Sequence, residues 1–231
     1  MDAAAALIPI KAFREAKARL RGALDPLQRD RLARWTASQV MSAAAGLQLV
    51  VVCDDDAVAT WAGERGALVL WQAGKGLNNA VDDAVAALAD LGFDHVVVAH
   101  ADLPRPSLLR TVVRPGTITL VPDRRDDGTN VMSFPTRAAA HSPTTARTGP
   151  PMRAAYGPGS FRRHLAAAMT TGLPVEVRRD RLLSLDIDTP ADLAHPMIAS
   201  AVAPVLSGAT PPPDAAVLLG DAPRLEEVPP A

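Results

Sequence analysis

Two patterns of apolar residues alternate along the first hundred positions. Short, nearly continuous apolar runs predict buried strands over residues 7–10, 47–53, 67–71 and 95–99. Between them, apolar residues at helical spacing predict helices that open at Pro26, within Asp54-Asp55-Asp56 and at Gly76, with Gly46 and Gly92 as stop signals. Strands that alternate with helices predict a parallel sheet that has helices on both faces and a ligand edge where the strands end.

The second half of the chain is less regular. Strands over 117–121 and 130–134 flank the turn Asp126-Asp127-Gly128, which predicts an antiparallel addition to the sheet. A helix over 160–165 and strands over 175–178 and 182–187 follow. Residues 137–155 have no period and are interpreted as a flexible insertion, and the Pro- and Ala-rich residues 203–231 as a disordered tail after a domain of residues 1–202.

Composition limits the classes of function. With 231 residues and 48% hydrophobic residues, the chain is long enough for one α/β domain with a real core. The net charge of −1 provides no global field for nucleic acid or for an anionic membrane. Cys53 is the single cysteine, which excludes an internal disulfide and fits a reducing compartment. Because the N-terminus lacks a basic segment and no apolar run reaches about 20 residues, we expect a soluble cytoplasmic protein.

Lysine is rare in this arginine-rich chain. Its three lysines, Lys11, Lys17 and Lys75, all follow predicted strands, and Arg14 and Arg19 lie near the first two. A lysine offers a compact point charge at the edge where ligands bind, which favours phosphate binding. The alternative is that these are ordinary solvated lysines left over in an arginine-rich composition.

Carboxylates follow two of the predicted strands. Asp102 lies three residues after the end of the strand over 95–99, and Asp186 and Asp188 share one face if their segment is extended. Carboxylates that meet at one sheet edge are typical of a Mg²⁺ site. In the competing interpretations, Asp102 caps a turn before Pro104 and Asp188 caps the helix that opens at Pro190.

Glycine-rich segments precede two predicted helices. Gly157-Pro158-Gly159-Ser160 leaves room for close approach to an anion at a helix N-terminus, although an ordinary Ser cap explains it as well. Residues 74–78 enter a helix without Walker spacing, and residues 126–130 form either a plain turn or a loop that reaches the same ligand. The histidines lack the spacing of a nucleophilic catalytic site.

Taken together and in order, these segments resemble a known family. The family comprises the 2-phospho-L-lactate and phosphoenolpyruvate guanylyltransferases of deazaflavin coenzyme (F-420) biosynthesis, and the resemblance covers roughly residues 7–195. The segments that carry it are Ile8-Pro9-Ile10-Lys11, Ala16-Lys17-Ala18-Arg19-Leu20, Gly76-Leu77-Asn78, Ala101-Asp102-Leu103-Pro104, Asp127-Gly128-Thr129-Asn130, Tyr156-Gly157-Pro158-Gly159-Ser160-Phe161 and Asp186-Ile187-Asp188-Thr189-Pro190-Ala191-Asp192-Leu193.

The resemblance implies a fold and a set of site residues. The fold is a three-layer, Rossmann-like α/β nucleotidyltransferase with a mostly parallel mixed sheet, akin to the nucleotide-diphospho-sugar transferases. GTP and Mg²⁺ are the implied co-reactants, and the catalytic residues are Lys17, Arg19 and Asp102. The implied GTP-binding residues are Lys11, Lys17, Arg19, Gly76 and Asn78, the metal ligands Asp102, Asp186 and Asp188, and the phosphoenolpyruvate-binding residues Thr129, Gly157 and Ser160. The chain departs from the family at His100 and in a longer insertion over 141–152.

The expected reaction is transfer of GMP from GTP to phosphoenolpyruvate. The motifs do not separate this acceptor from 2-phospho-L-lactate, and only the high Ala and Arg content, which looks actinobacterial, favours the first. The alternatives are a nucleotidyltransferase for molybdopterin or a sugar phosphate, and a non-catalytic nucleotide-binding module whose tail recruits a partner. The expected partners are small molecules, neither nucleic acid nor membrane, and a homodimer is compatible with the sequence.

Overall fold

The computed structural model describes residues 3–137 and 152–208. Seven strands lie in this part of the chain: β1 Ala4–Pro9, β2 Gln48–Cys53, β3 Leu68–Trp71, β4 His95–Ala99, β5 Ile118–Pro122, β6 Thr129–Pro135 and β7 Val175–Val177. The α-helices described are α1 Pro26–Ala43, α2 Asp56–Gly63, α3 Gly76–Asp90, α4 Ser160–Met169, α5 Pro190–Leu193 and α6 Pro196–Ser207. Most predicted boundaries therefore lie within one or two residues of the observed ones.

One mixed sheet contains all seven strands, in the order β3-β2-β1-β4-β6-β5-β7. β1 lies between β2 and β4 and is parallel to both, so these strands end at the same edge. β6 is antiparallel to β4 and to β5, which confirms the predicted antiparallel addition. The predicted α/β class and mostly parallel sheet are thus confirmed.

The predicted strand over 182–187 is wrong. Asp180 Oδ1 accepts hydrogen bonds from the backbone N–H groups of Leu182 and Leu183, at 3.0 and 3.1 Å, and these bonds fold residues 181–184 into turns. Residues 185–188 then run past the end of β4, where Ile187 N–H donates to the Asp102 carbonyl over 3.2 Å. A local side-chain cap therefore overrides the apolar pattern that predicted a strand.

Helices cover both faces of the sheet. Alternate residues of β1 serve opposite faces: Ala6 and Ile8 pack with α1 and α2, and Ala5 and Leu7 pack with α3 and α4. A third apolar cluster joins α1 to α6 and includes Leu32 and Ile198. The first two clusters place a helical layer on each side of the sheet.

The predicted end of the domain, at residue 202, lies too early in the chain. α6 runs to Ser207 and ends at Gly208, whose φ of +77° suits glycine. Residues 203–207, predicted to begin the tail, are therefore helical, and Val205 is buried. The remaining tail, residues 209–231, lies outside the described residues. No helix of the described ranges is long and apolar enough to cross a membrane.

The predicted insertion over 137–155 is described only at its ends. Residues 138–151 lie outside the described ranges. Met152 is buried in the cluster on the α3 side of the sheet, and Ala154 packs against the same cluster. Ala154 N–H also donates to Asp82 Oδ1 of α3 over 2.8 Å. Residues 152–155 are thus part of the packed domain, which the lack of period in the sequence did not reveal.

Truncation tests the C-terminal boundary. A chain that ends at Val202 loses the buried Val205, and we expect about 2 kcal/mol lower stability, or a melting temperature roughly 4–8 °C lower, than for a chain that ends at Gly208. Thermal unfolding of the two chains measures the difference. Equal melting temperatures would mean that the last turns of α6 do not contribute to the core.

Candidate active site

A cavity of about 410 Å³ lies at the carboxyl ends of β1, β2, β3 and β4. This is the edge at which a parallel α/β sheet binds its ligands. Among the site residues predicted from the sequence, those that line the cavity are Lys11, Lys17, Arg19, Gly76, Asp102 and Asp188. The structure therefore brings together the loop after β1, the start of α3 and the segment after β4.

The loop after β1 is fixed on the sheet by aromatic and ionic contacts. The Phe13 ring lies edge-on to Trp61 of α2, with 5.0 Å between ring centroids. Arg14 Nη1 donates to Asp55 Oδ2 over 2.6 Å, and Asp55 also caps α2. These contacts set the course of the chain into the next turn, where Lys17 adopts a left-handed conformation with φ of +57°.

Lys17 is the central cation of the cavity. Its side chain is only 7% exposed, and Nζ lies 3.6 Å from Asp102 Oδ2. Nζ also donates to the Ile187 carbonyl over 2.7 Å. A lysine this buried requires partners, and here they come from the ends of two other segments. One ammonium group therefore ties the β1 loop to the end of β4 and to residues 185–188.

Arg19 forms the second ion pair of the cavity. Its guanidinium donates to Asp188 Oδ2, and the two side chains are 68% and 41% exposed. An ion pair this exposed contributes little to stability and is readily exchanged for another partner. Arg19 is thus available to a ligand phosphate, whereas Lys17 is held in place.

Two carboxylate oxygens near the cavity lack partners. Asp102 Oδ1 and Asp186 Oδ1 are both buried and accept no hydrogen bond within the described residues. Burial, together with the negative charges of Asp102 and Asp192, raises the pKa of Asp186 to about 7. A buried, unpartnered carboxylate oxygen is costly unless a cation or donor meets it. These two oxygens fit a hard divalent cation.

The three predicted metal ligands do not converge as a complete set. Within residues 3–137 and 152–208, no group of three or more His, Cys, Asp or Glu side chains is placed to hold a metal ion. Asp188 pairs with Arg19 instead. Mg²⁺ usually needs only one or two protein carboxylates in addition to substrate phosphates and water. The magnesium site therefore remains a prediction.

A buried aspartate outside the cavity shapes the segment that carries Asp186 and Asp188. Asp192 is fully buried, and its Oδ2 accepts hydrogen bonds from the backbone N–H groups of Asp188 and Thr189, at 3.0 and 2.7 Å. Burial by itself would raise the pKa of Asp192, but the hydrogen bonds from Arg124, the two backbone groups and Arg125 hold it well below its usual range. Thr189 and Asp192 cap α5, so the predicted capping role of Asp188 is wrong.

The nucleotide residues predicted at α3 divide into two roles. Gly76 begins the helix with φ of +71° and lines the cavity. Asn78 does not line it, because both atoms of its amide bond the backbone of Tyr156: Tyr156 N–H donates to Oδ1 over 2.7 Å, and Nδ2 donates to the Tyr156 carbonyl over 3.3 Å. In this structure Asn78 therefore positions the segment before Gly157. A direct contact of Asn78 with GTP stays a prediction.

The predicted acceptor residues form a hydrogen-bonded group beside Tyr156. Thr129 N–H donates to Ser160 Oγ over 3.1 Å, and Thr129 Oγ1 lies 2.9 Å from His164 Nδ1. Thr129 and Ser160 are both buried, and they do not line the cavity, nor does Gly157, whose φ is +124°. Their hydroxyl groups thus have partners within the protein. Binding of phosphoenolpyruvate by these three residues stays a prediction.

Sequence reasoning missed several residues of the cavity wall. Asp54 and Gln72 line it directly after β2 and β3. Their position after strands of the same parallel sheet was the available signal. His100, noted only as a departure from the family, also lines the cavity, and its ring lies 4.7 Å from the ring of Tyr156. His100 Nε2 is buried without a hydrogen-bond partner in the described residues.

Comparison with protein families identifies the chain. Residues 4–201 match the family described as Guanylyl transferase CofC like. The chain belongs to this family. The match spans the residues that line the cavity and also Asp192 with its partners Arg124 and Arg125, so the whole candidate site lies within the matched region.

Named relatives extend the comparison. A phosphoenolpyruvate guanylyltransferase from Sphaerobacter thermophilus is 35% identical over 198 residues, covering 81% of this chain and 89% of the relative. One from Rubrobacter xylanophilus is 33% identical, covering 82% and 91%. A 2-phospho-L-lactate guanylyltransferase from Methanothermobacter thermautotrophicus is 29% identical, covering 82% of each chain. The chain is thus an enzyme of the nucleotidyltransferase class, as the sequence predicted.

Solved structures support the fold. A protein described as a nucleotide-diphospho-sugar transferase from Desulfovibrio desulfuricans superposes with a TM-score of 0.63 at 17% identity, covering 84% of this chain and 85% of that one. A nucleotidyl transferase from Methanothermobacter thermautotrophicus gives 0.57 at 13% identity, covering 87% and 99%. The predicted nucleotide-diphospho-sugar transferase-like fold is therefore confirmed.

Two lysines of the same loop offer a matched test. Lys17→Met removes the hydrogen bond to Ile187 and the cation beside Asp102, and we expect a loss of about 1–3 kcal/mol in the free energy of unfolding. Lys11→Met should change it by less than about 0.5 kcal/mol, because Lys11 is exposed and has no ion pair in the described residues. Denaturant titration compares the two variants. Similar losses in both would show that the buried contacts of Lys17 do not stabilise the fold.

Acid should weaken the group formed by Thr129, Ala155 and His164. Burial, together with the positive charges of His100 and Arg163, lowers the pKa of His164 from 6.5 to about 4. Ala155 N–H donates to His164 Nε2 over 2.8 Å, so this nitrogen must be unprotonated. Because the unfolded chain takes up the proton first, the stabilisation is complete above pH 6.5 and is lost as the pH falls toward 4.

Between pH 7.5 and pH 5, the contribution of His164 to the free energy of unfolding should fall by about 2 kcal/mol. A comparison of wild type with His164→Asn isolates it, because every other titrating group is present in both chains. Titration of the ring by nuclear magnetic resonance gives the pKa directly. A measured pKa near 6.5 would contradict the expectation.

Proposed function

We propose that this chain transfers GMP from GTP to phosphoenolpyruvate in the cytoplasm, giving enolpyruvyl-diphospho-guanosine and pyrophosphate for deazaflavin coenzyme biosynthesis. The observation that carries the proposal is the cavity at the strand ends, where Lys17 and Arg19 lie beside Asp102 and Asp188. Phosphoryl-group transfer depends on positioning and charge neutralisation, which such an arrangement supplies.

In this reaction a phosphate oxygen of phosphoenolpyruvate attacks the α-phosphorus of GTP. The new P–O bond forms as the bond from the α-phosphorus to the bridging oxygen of the β-phosphate breaks, and pyrophosphate takes the electron pair. The attacking phosphate oxygen is already deprotonated near neutral pH, so no general base is needed. Lys17 is held in place to neutralise charge at the α-phosphate, and the exposed Arg19 can leave Asp188 to follow the departing pyrophosphate.

A divalent cation completes the proposed site. Asp102 and Asp186 would hold Mg²⁺ through the oxygens that lack partners in the described residues, and Asp188 would join them on release from Arg19. When bound, the ion would offset the repulsion between the phosphates of the two substrates. Asp102 lines the cavity itself, which makes it the carboxylate nearest to the reacting phosphates.

Relatives support phosphoenolpyruvate over 2-phospho-L-lactate as the acceptor. Relatives named for phosphoenolpyruvate have identities from 28% to 35%, with those from Sphaerobacter and Rubrobacter at 35% and 33%, and a relative named for 2-phospho-L-lactate is 29% identical. The two acceptors share a phosphate and a carboxylate and differ at the carbon that bears the phosphate. The second candidate function is therefore the same transfer to 2-phospho-L-lactate.

Product analysis tests the proposal. The purified chain is incubated with GTP, Mg²⁺ and either acceptor, and the products are identified by mass spectrometry. The expected products are pyrophosphate and the guanylylated enolpyruvyl compound, with slower turnover of 2-phospho-L-lactate. Faster turnover of 2-phospho-L-lactate would favour the second candidate, and transfer to neither acceptor would contradict both.

Loss of Asp102 should abolish most activity. Asp102→Asn keeps the shape of the side chain but removes the charge beside Lys17, and we expect turnover to fall by about 100-fold or more. Asp94→Asn is the matched control, since Asp94 is exposed and precedes the opposite end of the same strand. Steady-state kinetics and thermal unfolding of both variants are compared. Near-normal turnover of Asp102→Asn would show that Asp102 is only a turn residue.

A further inference from the structure

Among the described residues, three with carboxylate side chains line the cavity: Asp54, Asp102 and Asp188. Asp102 lies beside Lys17, and Asp188 pairs with Arg19. Asp54 differs from both, because it is exposed and has no hydrogen bond or ion pair within the described residues. Its carboxylate therefore remains available at the cavity wall.

Strand order separates Asp54 from the cationic end of the cavity. Asp54 follows β2 and Asp102 follows β4, and β1 lies between these two strands. Neighbouring strands are about 4.8 Å apart, so the two carboxylates lie on the order of 10 Å from each other. If the phosphates of a ligand lie at the Lys17 end of the cavity, the rest of the ligand extends toward the ends of β2 and β3.

An amide side chain lies next to Asp54. Cys53 pairs with Trp71 across the parallel strands β2 and β3, and Gln72 N–H donates to the Cys53 carbonyl over 2.9 Å. Asp54 and Gln72 thus follow two paired residues directly, and both line the cavity. This end presents a carboxylate acceptor beside an amide that can donate or accept.

We propose that Asp54, assisted by Gln72, recognises the guanine base of the nucleotide. This inference rests on the proposed function, because it places the α-phosphate of GTP beside Asp102. In guanine the N1–H and N2–H₂ groups are adjacent donors and O6 is an acceptor. A carboxylate accepts two such hydrogen bonds side by side, and the Gln72 amide donates to O6.

The same pair of side chains disfavours adenine. Adenine presents an acceptor at N1, which meets the negative charge of Asp54, and its amino group stands where O6 of guanine accepts. A polar group that faces the bound base without a matching partner reduces binding more strongly than a missing apolar contact. Asp54 thus selects by repelling the wrong base as well as by bonding the right one.

Substitution of Asp54 tests the assignment with base analogues. The wild-type chain should bind and use GTP at least tenfold better than ITP, which lacks the 2-amino group. Asp54→Asn should weaken the binding of GTP at least tenfold and strengthen the binding of XTP. The asparagine amide donates to the 2-oxo group of xanthine and still accepts from N1–H. Equilibrium nucleotide binding is measured together with kcat/KM for each nucleotide.

A neighbouring residue provides the control. Asp56 is exposed at the first position of α2 and does not line the cavity, so Asp56→Asn should keep the wild-type order of preference for the three nucleotides. A shift from GTP toward XTP only in Asp54→Asn supports the inference. Unchanged preference in Asp54→Asn, or the same shift in both variants, overturns it.

The same experiment separates a failure of the proposed function from a failure of the inference about Asp54. If wild type binds GTP but transfers GMP to neither acceptor, the proposed reaction is overturned, and the binding preferences of Asp54→Asn still decide the role of Asp54. If wild type transfers GMP while Asp54→Asn keeps its preference for GTP, the reaction stands and the inference about Asp54 falls. A wild-type chain that binds no guanine nucleotide overturns both.

Discussion

The buried ammonium of Lys17 is the interaction on which the candidate site depends. Its Nζ reaches the Ile187 carbonyl and lies beside Asp102, so three distant segments share one charge. A buried charge without partners costs several kcal/mol, and this cost makes the three segments mutually dependent. The backbone at Lys17 is left-handed, a conformation that a non-glycine residue adopts only where its surroundings compensate.

A second buried charge supports the first from outside the cavity. Asp192, fully buried and held by Arg124 and Arg125, fixes the backbone at Asp188 and Thr189. Asp186 lies two residues before Asp188 in the same segment, and its pKa is raised by burial and by the neighbouring carboxylates of Asp102 and Asp192. The protein thus uses the Asp192 ion pairs to position the segment, while one oxygen each of Asp102 and Asp186 has no hydrogen-bond partner in the described residues. Groups perturbed in this way are common at functional sites.

The order of the strands gives the cavity two chemically different ends. The loop after β1 and the end of β4 provide cations and carboxylates, and the ends of β2 and β3 provide Asp54 and Gln72. Because neighbouring parallel strands end at the same edge, residues far apart in sequence line one cavity of about 410 Å³. Family membership and the proposed guanylyl transfer fit this division between phosphate and base.

By itself, the sequence determined the layers of the fold, because β-branched runs and helical periodicity are local signals that later packing reinforced. It also determined the family, and it predicted a shared site for Lys17, Arg19 and Asp102, which line one cavity in the structure. Only the tertiary structure decided that Asn78 bonds Tyr156, that Thr129 and Ser160 bond each other, and that residues 181–184 form turns. The physical reason is that a side chain meets its partners through the packing of distant segments, and no local pattern records whether an oxygen faces a ligand or a neighbouring N–H group.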